Sequence, residues 1–507
     1  MTLLEVAILA AWYLTLSVLT VFSVHRLYLV RLNRGPWSAA DPWSAADPAA
    51  GDQGAAYPRA AESAALHALH WPSLVVQLPV YNEPNVVGRL IDAVAQLEYP
   101  GPIRVQVLDD STDGTSSIAA GHIARWRQRG IAIEHIRRDH RSGFKAGALA
   151  HGMSRSDAEL FAVFDADFVP PGDFLLRTVP HFTDSRVGMV QTRWEHLNRE
   201  TSLLTRVQAI FLDAHFAVES AARHRSGRFF NFNGTAGVWR RQAIEDAGGW
   251  SSSTLTEDLD LSYRAQLEGW KFVFRSDVLT PAELPAALSG FQQQQYRWAK
   301  GSIQTARKLL PRILRSAEPA AVRVEAVFHL TNNVAYLLSV VLALLIVPSL
   351  AIRTAGSISA MLALDAFLFV LSTGSVLLFL IEGQRLAGRR VRLREMLAAL
   401  PLGVGMAVRN SAAVVTGAFE NGGYFARTPK RGGAARETWE QAPRLAKAET
   451  ALALYFLVAM AGFATSALWP ALPFLVLFFS GYSYVAFEAF RERFWFGRAV
   501  TPDLDQS

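Results

Sequence analysis

Hydrophobic positions fall into two regimes along this chain. Toward both ends the apolar runs are long and unbroken, whereas from about residue 72 to 315 they are short and regularly interrupted. Residues 3–23 (LLEVAILAAWYLTLSVLTVFS) reach the roughly 20 residues that a helix needs to cross a bilayer. No small-residue cleavage site follows, so they predict an anchor and not a removed signal peptide. Further spans are expected at about 326–351, 358–381, 449–468 and 471–488, the last two forming a hairpin around Trp469 and Pro470. The segment 395–419 is apolar but interrupted by Pro401, glycines and Arg409, and basic residues flank it on both sides (Arg385 to Arg394 before, Arg427 to Lys447 after). A crossing there would leave one basic loop outside, so the charge rule predicts an amphipathic helix on the cytoplasmic face. Five spans then put the N-terminus outside and Arg26 to Arg323 in the cytoplasm, as in a multi-pass protein of an inner or plasma membrane.

In the middle region, apolar runs such as "LVVQLPV", "IRVQVLDD" and "IAIEHIRRD" alternate with helical stretches, about Val86 to Leu97 and up to Arg129. That alternation predicts a doubly wound, Rossmann-like α/β sheet. Neither Gly-x-Gly-x-x-Gly after the first strand nor a Walker lysine loop occurs, which disfavours a dinucleotide or P-loop fold. The expected organisation is a first span at 1–25, a linker at 26–71, a cytoplasmic α/β domain at 72–315 and spans two and three at 316–384. An interfacial helix and loop at 385–447, spans four and five at 448–490 and a tail at 491–507 complete it. The linker holds the unit Pro-Trp-Ser-Ala-Ala-Asp twice, from Pro36 and Pro42, too short for a solenoid and typical of a Pro- and Ala-rich connector.

Composition supports a soluble domain joined to spans: 51% of the 507 residues are hydrophobic, yet 19% are charged. With 0 cysteines, disulfides and thiolate metal sites are excluded. Lys plus Arg exceeds Asp plus Glu by 50 to 44, and the excess sits largely beside apolar segments, which suits anionic lipid headgroups and not nucleic acid.

Candidate chemistry concentrates at strand ends. In "LFAVFDADFVPPGDF" (160–174) a buried strand ends in Asp165 and Asp167, and ligands of an open parallel sheet collect at such ends. Two close carboxylates repel, and Mg2+ or Mn2+ relieves that repulsion while keeping waters and substrate phosphates in its shell. The alternative is a solvated acidic loop. Asp109 and Asp110 follow Val105 to Leu108, and "SSSTLTEDLDLSYR" holds Glu257 and Asp258, where Thr256 to Asp258 could instead cap a helix beginning near Leu259. Together the three acidic sites suggest one crevice. In "FQQQQYRWAKG", Gln294 and Arg297 share a helical face and Trp298 adjoins them. Arg suits phosphate, Gln suits hydroxyls and Trp offers a flat face to a sugar ring; the alternative is a helix lying on the membrane.

The ordered motifs "QLPVYNE", "VLDDSTD", "RDHRSGFKAGAL", "FDADF", "FNGTAGVWR", "TEDLDLSYRA" and "QQQYRWAKG" resemble those of processive family-two glycosyltransferases. Within them they are similar to the cellulose-synthase-like A group, the glucomannan 4-beta-mannosyltransferases, and their bacterial relatives. The resemblance implies a GT-A fold with Asp109 and Asp110 near the nucleoside, Tyr81 and Glu83 lining its pocket, and Lys145 near the pyrophosphate. It implies Asp165 and Asp167 as ligands of Mg2+ or Mn2+, and Asp258 as general base. Gln294, Arg297 and Trp298 would hold the acceptor end and the pyrophosphate, with Phe232, Asn233, Gly234, Thr235 and Glu257 by the acceptor terminus. Asn233 stands where cellulose synthases carry a cysteine, which departs from the glucan-making pattern. "GYFARTPKRG" resembles the family's gating loop, with Phe425, Thr428 and Lys430 as contacts and Arg427 where cellulose synthases have valine; a basic interfacial loop is the alternative. After Phe496 only a short tail is expected, without a cyclic-dinucleotide-binding domain.

The activity implied is inverting, processive transfer from GDP-mannose or UDP-glucose to a β-1,4-linked polysaccharide, with export of the chain. Its partners are the nucleotide-sugar donor, the growing glycan and the lipid bilayer; accessory export subunits have no signature in the sequence. Two rivals are a transferase making a membrane glycolipid and a transporter with a nucleotide-binding domain. Against the transporter, only Asp365 and Arg409 are charges well inside the apolar segments.

Overall fold

The structure, a computed structural model, describes residues 1–34, 71–355, 359–423, 428, 430, 446–464 and 471–500. Helix α1 (Leu3–Arg34) precedes an α/β domain. That domain runs through β1 (Leu74–Val80), α2 (Val87–Val94), β2 (Ile103–Asp109), α3 (Thr115–Gln128), β3 (Ile133–Arg137), α4 (Phe144–Met153) and β4 (Leu160–Val163). It continues through β5 (Val187–His196), α5 (Leu203–Ala214), a π-helical turn (His215–Ser220), α6 (Ala221–Arg225), β6 (Gly237–Arg240), α7 (Glu257–Leu267) and β7 (Lys271–Ala282). Helix α8 (Leu288–Arg315) leads to α9 (Ala320–Thr331), α10 (Val334–Ala355), α11 (Ser359–Leu386), α12 (Leu393–Gly405), α13 (Ala407–Phe419), α14 (Lys447–Ala464) and α15 (Leu472–Val500).

Seven strands form one sheet in the order β3-β2-β1-β4-β6-β5-β7. The strands β3, β2, β1 and β4 are parallel, as the alternation of strand and helix predicts. Beyond β4, β6 is inserted antiparallel between β4 and β5, and β7 lies parallel to β5. The strands are apolar on both faces because both faces are covered. Along β1, Leu74, Val76 and Leu78 enter the core beneath α2 and α3, while Val75 enters the core holding Leu149, Phe161 and Trp239. This two-residue period leaves strand ends, not strand faces, open to a ligand. Val80 is level with Asp109 and Gln77 with Val163, so the carboxyl ends of β1, β2 and β4 finish side by side.

Four described helical segments are long and apolar enough to cross a membrane: Leu3–Arg34, Val334–Arg353, Ala363–Leu386 and Leu472–Phe494. They fit a membrane-embedded protein. The boundaries differ from expectation in several places: α15 runs on to Val500, into the expected tail, and α14, at the expected span 449–468, is not among the four. Helix α1 runs on to Arg34, into the expected linker, whose residues 35–70 lie outside the described set. The apolar run expected at 326–351 breaks at Asn332 and Asn333 into α9 and α10, since asparagine side chains compete for backbone hydrogen bonds and favour helix ends. Residues 395–419 are not one surface-lying helix but two, α12 and α13, bent by 47° and meeting the span criterion only as a pair.

Close backbone approaches explain where this pair sits. A Cβ on Gly405 would lie 2.5 Å from the Gly481 carbonyl of α15, and one on Gly417 would lie 2.7 Å from the Lys300 carbonyl of α8. The pair is therefore wedged between the last helix and α8, an approach that small residues permit. Arg409 is accommodated because its Nη1 donates to Gln292 Oε1 of α8 at 3.2 Å. Asp365 is ion-paired with Arg353 and accepts a 3.0 Å hydrogen bond from Trp12 Nε1, so this charge ties α1, α10 and α11 together. The expected turn at Trp469 and Pro470 lies outside the described residues.

Candidate active site

A cleft of about 170 Å3 opens at the carboxyl ends of β1, β2 and β4. Its floor is the Asp-x-Asp segment. The backbone N–H of Asp165 donates to Thr235 Oγ1 at 2.9 Å, which fixes the carboxylate just past the end of β4. Lys145, at the start of α4, donates to Asp165 Oδ1 at 2.5 Å and to the Gly234 carbonyl at 2.8 Å. Burial alone would lower the Lys145 pKa, but Asp165 and Glu257 outweigh it and raise it. Asp167 Oδ2 accepts from Lys430 at 2.7 Å. Thr428 and Lys430 thus line the cleft, while Phe425 lies outside the described residues.

Among the described residues, no group of three or more His, Cys, Asp and Glu side chains could hold a metal by itself. Asp165 and Asp167 nevertheless fit a hard divalent ion whose remaining ligands come from a diphosphate and water, the usual arrangement for Mg2+ with phosphate substrates.

One side of the cleft, where the resemblance puts the nucleoside, is lined by Tyr81, Glu83 and Asp110. Asp110 is clamped by Arg138, with Nε at 2.9 Å from Oδ1 and Nη2 at 2.5 Å from Oδ2. The Arg141 guanidinium lies 3.3 Å from the Tyr81 ring centroid, a cation–π contact that fixes one wall. Asp109 does not face the cleft. Its fully buried carboxylate accepts from Ser111 N, Ser116 Oγ and His135 Nε2. Burial would raise its pKa, yet these hydrogen bonds hold it below the carboxylate range. The nucleoside contact implied for Asp109 is therefore corrected to a supporting role beneath Asp110.

Opposite lies the acid pair. Glu257 and Asp258 open α7, where unpaired backbone N–H groups and the helix dipole favour negative charge. Asp258 is nevertheless pushed up to about 7, first by burial and then by Glu257 beside it. Burial likewise raises Glu257, with Lys145 and Arg297 pulling the other way. Gly234, at φ +81°, crosses directly behind; a Cβ there would stand 2.9 Å from Asp258 Oδ2.

Why α8 supplies the roof follows from its spacing. Gln294, Arg297, Trp298 and Gly301 form an i, i+3, i+4, i+7 stripe. At Gly301 the helix presses so close to the start of α7 that a Cβ would meet Thr256 Cγ2 at 2.5 Å. The same face one and two turns earlier thus hangs Arg297, Trp298 and Gln294 over the acid pair, and all three line the cleft. The face of α8 that carries Trp298 thus lies on the cleft.

Of the acceptor loop, Asn233 and Gly234 line the cleft. Phe232 does not: it is fully buried, edge-on to Trp239 at 5.7 Å. Thr235 is also fully buried and acts through its bond to Asp165. The contacts implied for these two are therefore corrected, the first to core packing and the second to support of the strand end. Sequence reasoning passed over Arg138 and Arg141, although "RDHRSGFKAGAL" places several basic residues between a strand and Lys145. It also passed over Trp194 and His196, which reach the cleft from alternate positions at the end of β5.

Residues 72–301 match the family model described as glycosyltransferase like family 2. The probable glucomannan 4-beta-mannosyltransferase 7 of Oryza sativa subsp. japonica is 45% identical over 250 residues, covering 48% of this chain and 43% of the relative. Glucomannan 4-beta-mannosyltransferase 1 of Cyamopsis tetragonoloba is 42% identical over 250 residues, covering 48% of each. The chain spans about half the length of the curated relatives it matches. Among solved structures, a mannosyltransferase from Pyrobaculum calidifontis in complex with GDP-Man and Mn2+ shares the fold, with a TM-score of 0.50 and 19% identity over 82% of this chain and 98% of that one. Residues 72–301 therefore match the glycosyltransferase like family 2 model, are similar to the glucomannan 4-beta-mannosyltransferases and share the fold of a solved mannosyltransferase, and they are joined to helices long and apolar enough to cross a membrane.

Proposed function

We propose that this protein is a membrane-embedded, inverting and processive hexosyltransferase that extends a β-1,4-linked polysaccharide from a nucleotide-sugar donor. GDP-mannose is the first donor to expect, given the relatives named above, with UDP-glucose second. The observation that carries the reading is the coexistence, in one cleft, of Lys145 on Asp165, the raised carboxyl of Asp258 and the Arg297–Trp298 roof.

In this reading Tyr81, Glu83 and Asp110 take the nucleoside, while Lys145 and Arg297 take the diphosphate. Asp165 and Asp167 would hold Mg2+ or Mn2+, which when bound supplies positive charge against the departing diphosphate. Asp258 removes the proton from the acceptor hydroxyl, whose oxygen attacks the anomeric carbon opposite the diphosphate. As that carbon–oxygen bond forms, the bond to the diphosphate breaks, turning an α-linked donor into a β-linked product. The acceptor terminus rests by Asn233, Gly234, Gln294 and Trp298, with Glu257 behind. Catalysis takes place on the cytoplasmic side, with the N-terminus outside and the lengthening chain leaving through the membrane helices. Thr428 and Lys430 belong to a segment that gates the cleft.

Incubating the purified full chain with GDP-mannose or UDP-glucose and Mn2+ or Mg2+ tests this. Release of nucleoside diphosphate together with a polymer cleaved by a β-mannanase or β-glucanase is expected. A lipid-linked single sugar would replace the reading with the glycolipid transferase, and no release with either donor would end it. Trp298→Ala should shorten or abolish the polymer while donor affinity and membrane insertion stay near normal, because a stacking ring contacts the chain and not the nucleotide.

The raised Asp258 carboxyl sets a pH dependence. The base must be ionised, so kcat/KM should fall as pH drops through about 7. Because Glu257 contributes to that elevation, Glu257→Gln should move the acidic limb to lower pH. An acidic limb in the same place would remove Glu257 from that role.

A further inference from the structure

Asn233 reaches the cleft with an amide whose orientation is held from behind. Its Oδ1 receives Asn231 Nδ2 at 3.1 Å and faces His215 Nε2 at 3.0 Å. Asn231 Nδ2 also donates to the Phe232 carbonyl at 3.0 Å. A carbonyl only accepts, so the Asn231 amide cannot be turned around, and the Asn233 atom it meets must be the oxygen. His215 Nε2 therefore carries a hydrogen. The other ring nitrogen, Nδ1, faces Glu219 Oε2 at 3.0 Å, again an acceptor. The ring is thus held between the Asn233 amide and the Glu219 carboxylate.

What leaves His215 in place is a buried chain of charges. Burial would raise the Glu219 pKa, but the His215 hydrogen bond and Arg223 hold it well below the carboxylate range. Arg223 Nη1 lies 3.9 Å from Glu219 Oε2, and Arg223 Nε donates to Glu325 Oε1 of α9 at 3.0 Å. Glu325 in turn meets His25 of α1 at 2.9 Å. His215 and Glu219 sit in the π-helical turn between α5 and α6, a rare geometry that recurs at functional sites.

We propose that His215, held by Glu219, is a positioning residue that turns Asn233 so that its Nδ2 hydrogens face the cleft and donate to a hydroxyl oxygen of the acceptor glycan. Among the described residues, the contact Nδ2 makes is a 3.5 Å approach to the Asn231 carbonyl. The inference rests on the proposed transferase reading for its substrate, since neither His215 nor Glu219 touches the donor side. The site selects an acceptor through a fixed donor group, and the fixing agent is wired to the first membrane helix.

Steady-state kinetics of the full chain with GDP-mannose and β-1,4-mannopentaose test it. His215→Ala should raise KM for mannopentaose by about ten-fold or more, while KM for GDP-mannose changes by less than about two-fold. Asn233→Asp, which removes the Nδ2 donor but keeps an oxygen for His215, should do the same, and the double variant should be no worse than the worse single. An unchanged mannopentaose KM, or equal rises in both KM values, overturns the proposal. A second measurement needs no turnover: in ¹⁵N-histidine-labelled protein His215 Nε2 should carry a hydrogen, and a bare Nε2 overturns it. If the wild type transfers no mannose, the transferase reading falls, while the ¹⁵N signature still decides for or against the positioning pair.

Discussion

Replacing Asp258 by Asn is expected to cut glycosyl transfer by about 10²- to 10⁴-fold, the usual weight of a positioned general base. Asparagine keeps the shape and the hydrogen bond from the Leu259 N–H, which Asp258 Oδ1 now accepts at 2.8 Å, so the start of α7 should remain intact. It cannot take a proton. Donor affinity should stay within a few-fold of normal, because the diphosphate ligands proposed here, Lys145, Arg297 and the Asp-x-Asp pair, are untouched. Titration calorimetry with GDP-mannose, run beside the rate assay, separates the two effects. Weakened donor binding at a normal chemical rate would remove Asp258 from the base role.

Asp165→Ala and Asp167→Ala should fail on the other side of the cleft, by several kcal/mol and hence about a hundredfold or more in kcat/KM, with donor binding itself impaired. The two should not be identical. Without Asp165, Lys145 keeps its bond to the Gly234 carbonyl and stays near the diphosphate position. Without Asp167, Lys430 loses one acceptor and keeps the Glu283 carbonyl. Donor affinity measured with Mn2+ and with EDTA gives the reading: the wild type should lose affinity on chelation, the variants little further. Wild-type activity that survives chelation would refute the ion-binding role of both aspartates.

How far this site was legible depends on what a linear pattern can carry. The strand ends at Asp110 and Asp165 were readable because an apolar run that stops at a carboxylate has one geometric meaning in a parallel sheet. The stripe from Gln294 to Gly301 was readable because helical spacing fixes which residues share a face. Asp109 was misassigned for a reason the pattern itself contains: neighbouring strand residues point to opposite sides, so only one of Asp109 and Asp110 can reach the cleft. Strand direction was not legible. "GVWR" has the same apolar character whether it runs up or down the sheet, and only its pairing with β4 and β5 shows β6 to be antiparallel. The break at Asn332 and Asn333 was hidden because hydropathy averaged over twenty residues passes smoothly across two polar ones.

The two lysines that sit on the Asp-x-Asp segment have a consequence for timing. Lys145 on Asp165 and Lys430 on Asp167 already neutralise both carboxylates, at 2.5 and 2.7 Å. A bare cation would have to displace two ammonium groups from the carboxylates and leave them to the Gly234 and Glu283 carbonyls. A cation that arrives already chelated to a diphosphate brings new oxygens for those same ammonium groups. On the proposed ion-binding role, uptake of the ion would be conditional on uptake of the nucleotide, and between turnovers the cleft would not draw on the surrounding pool of divalent ions.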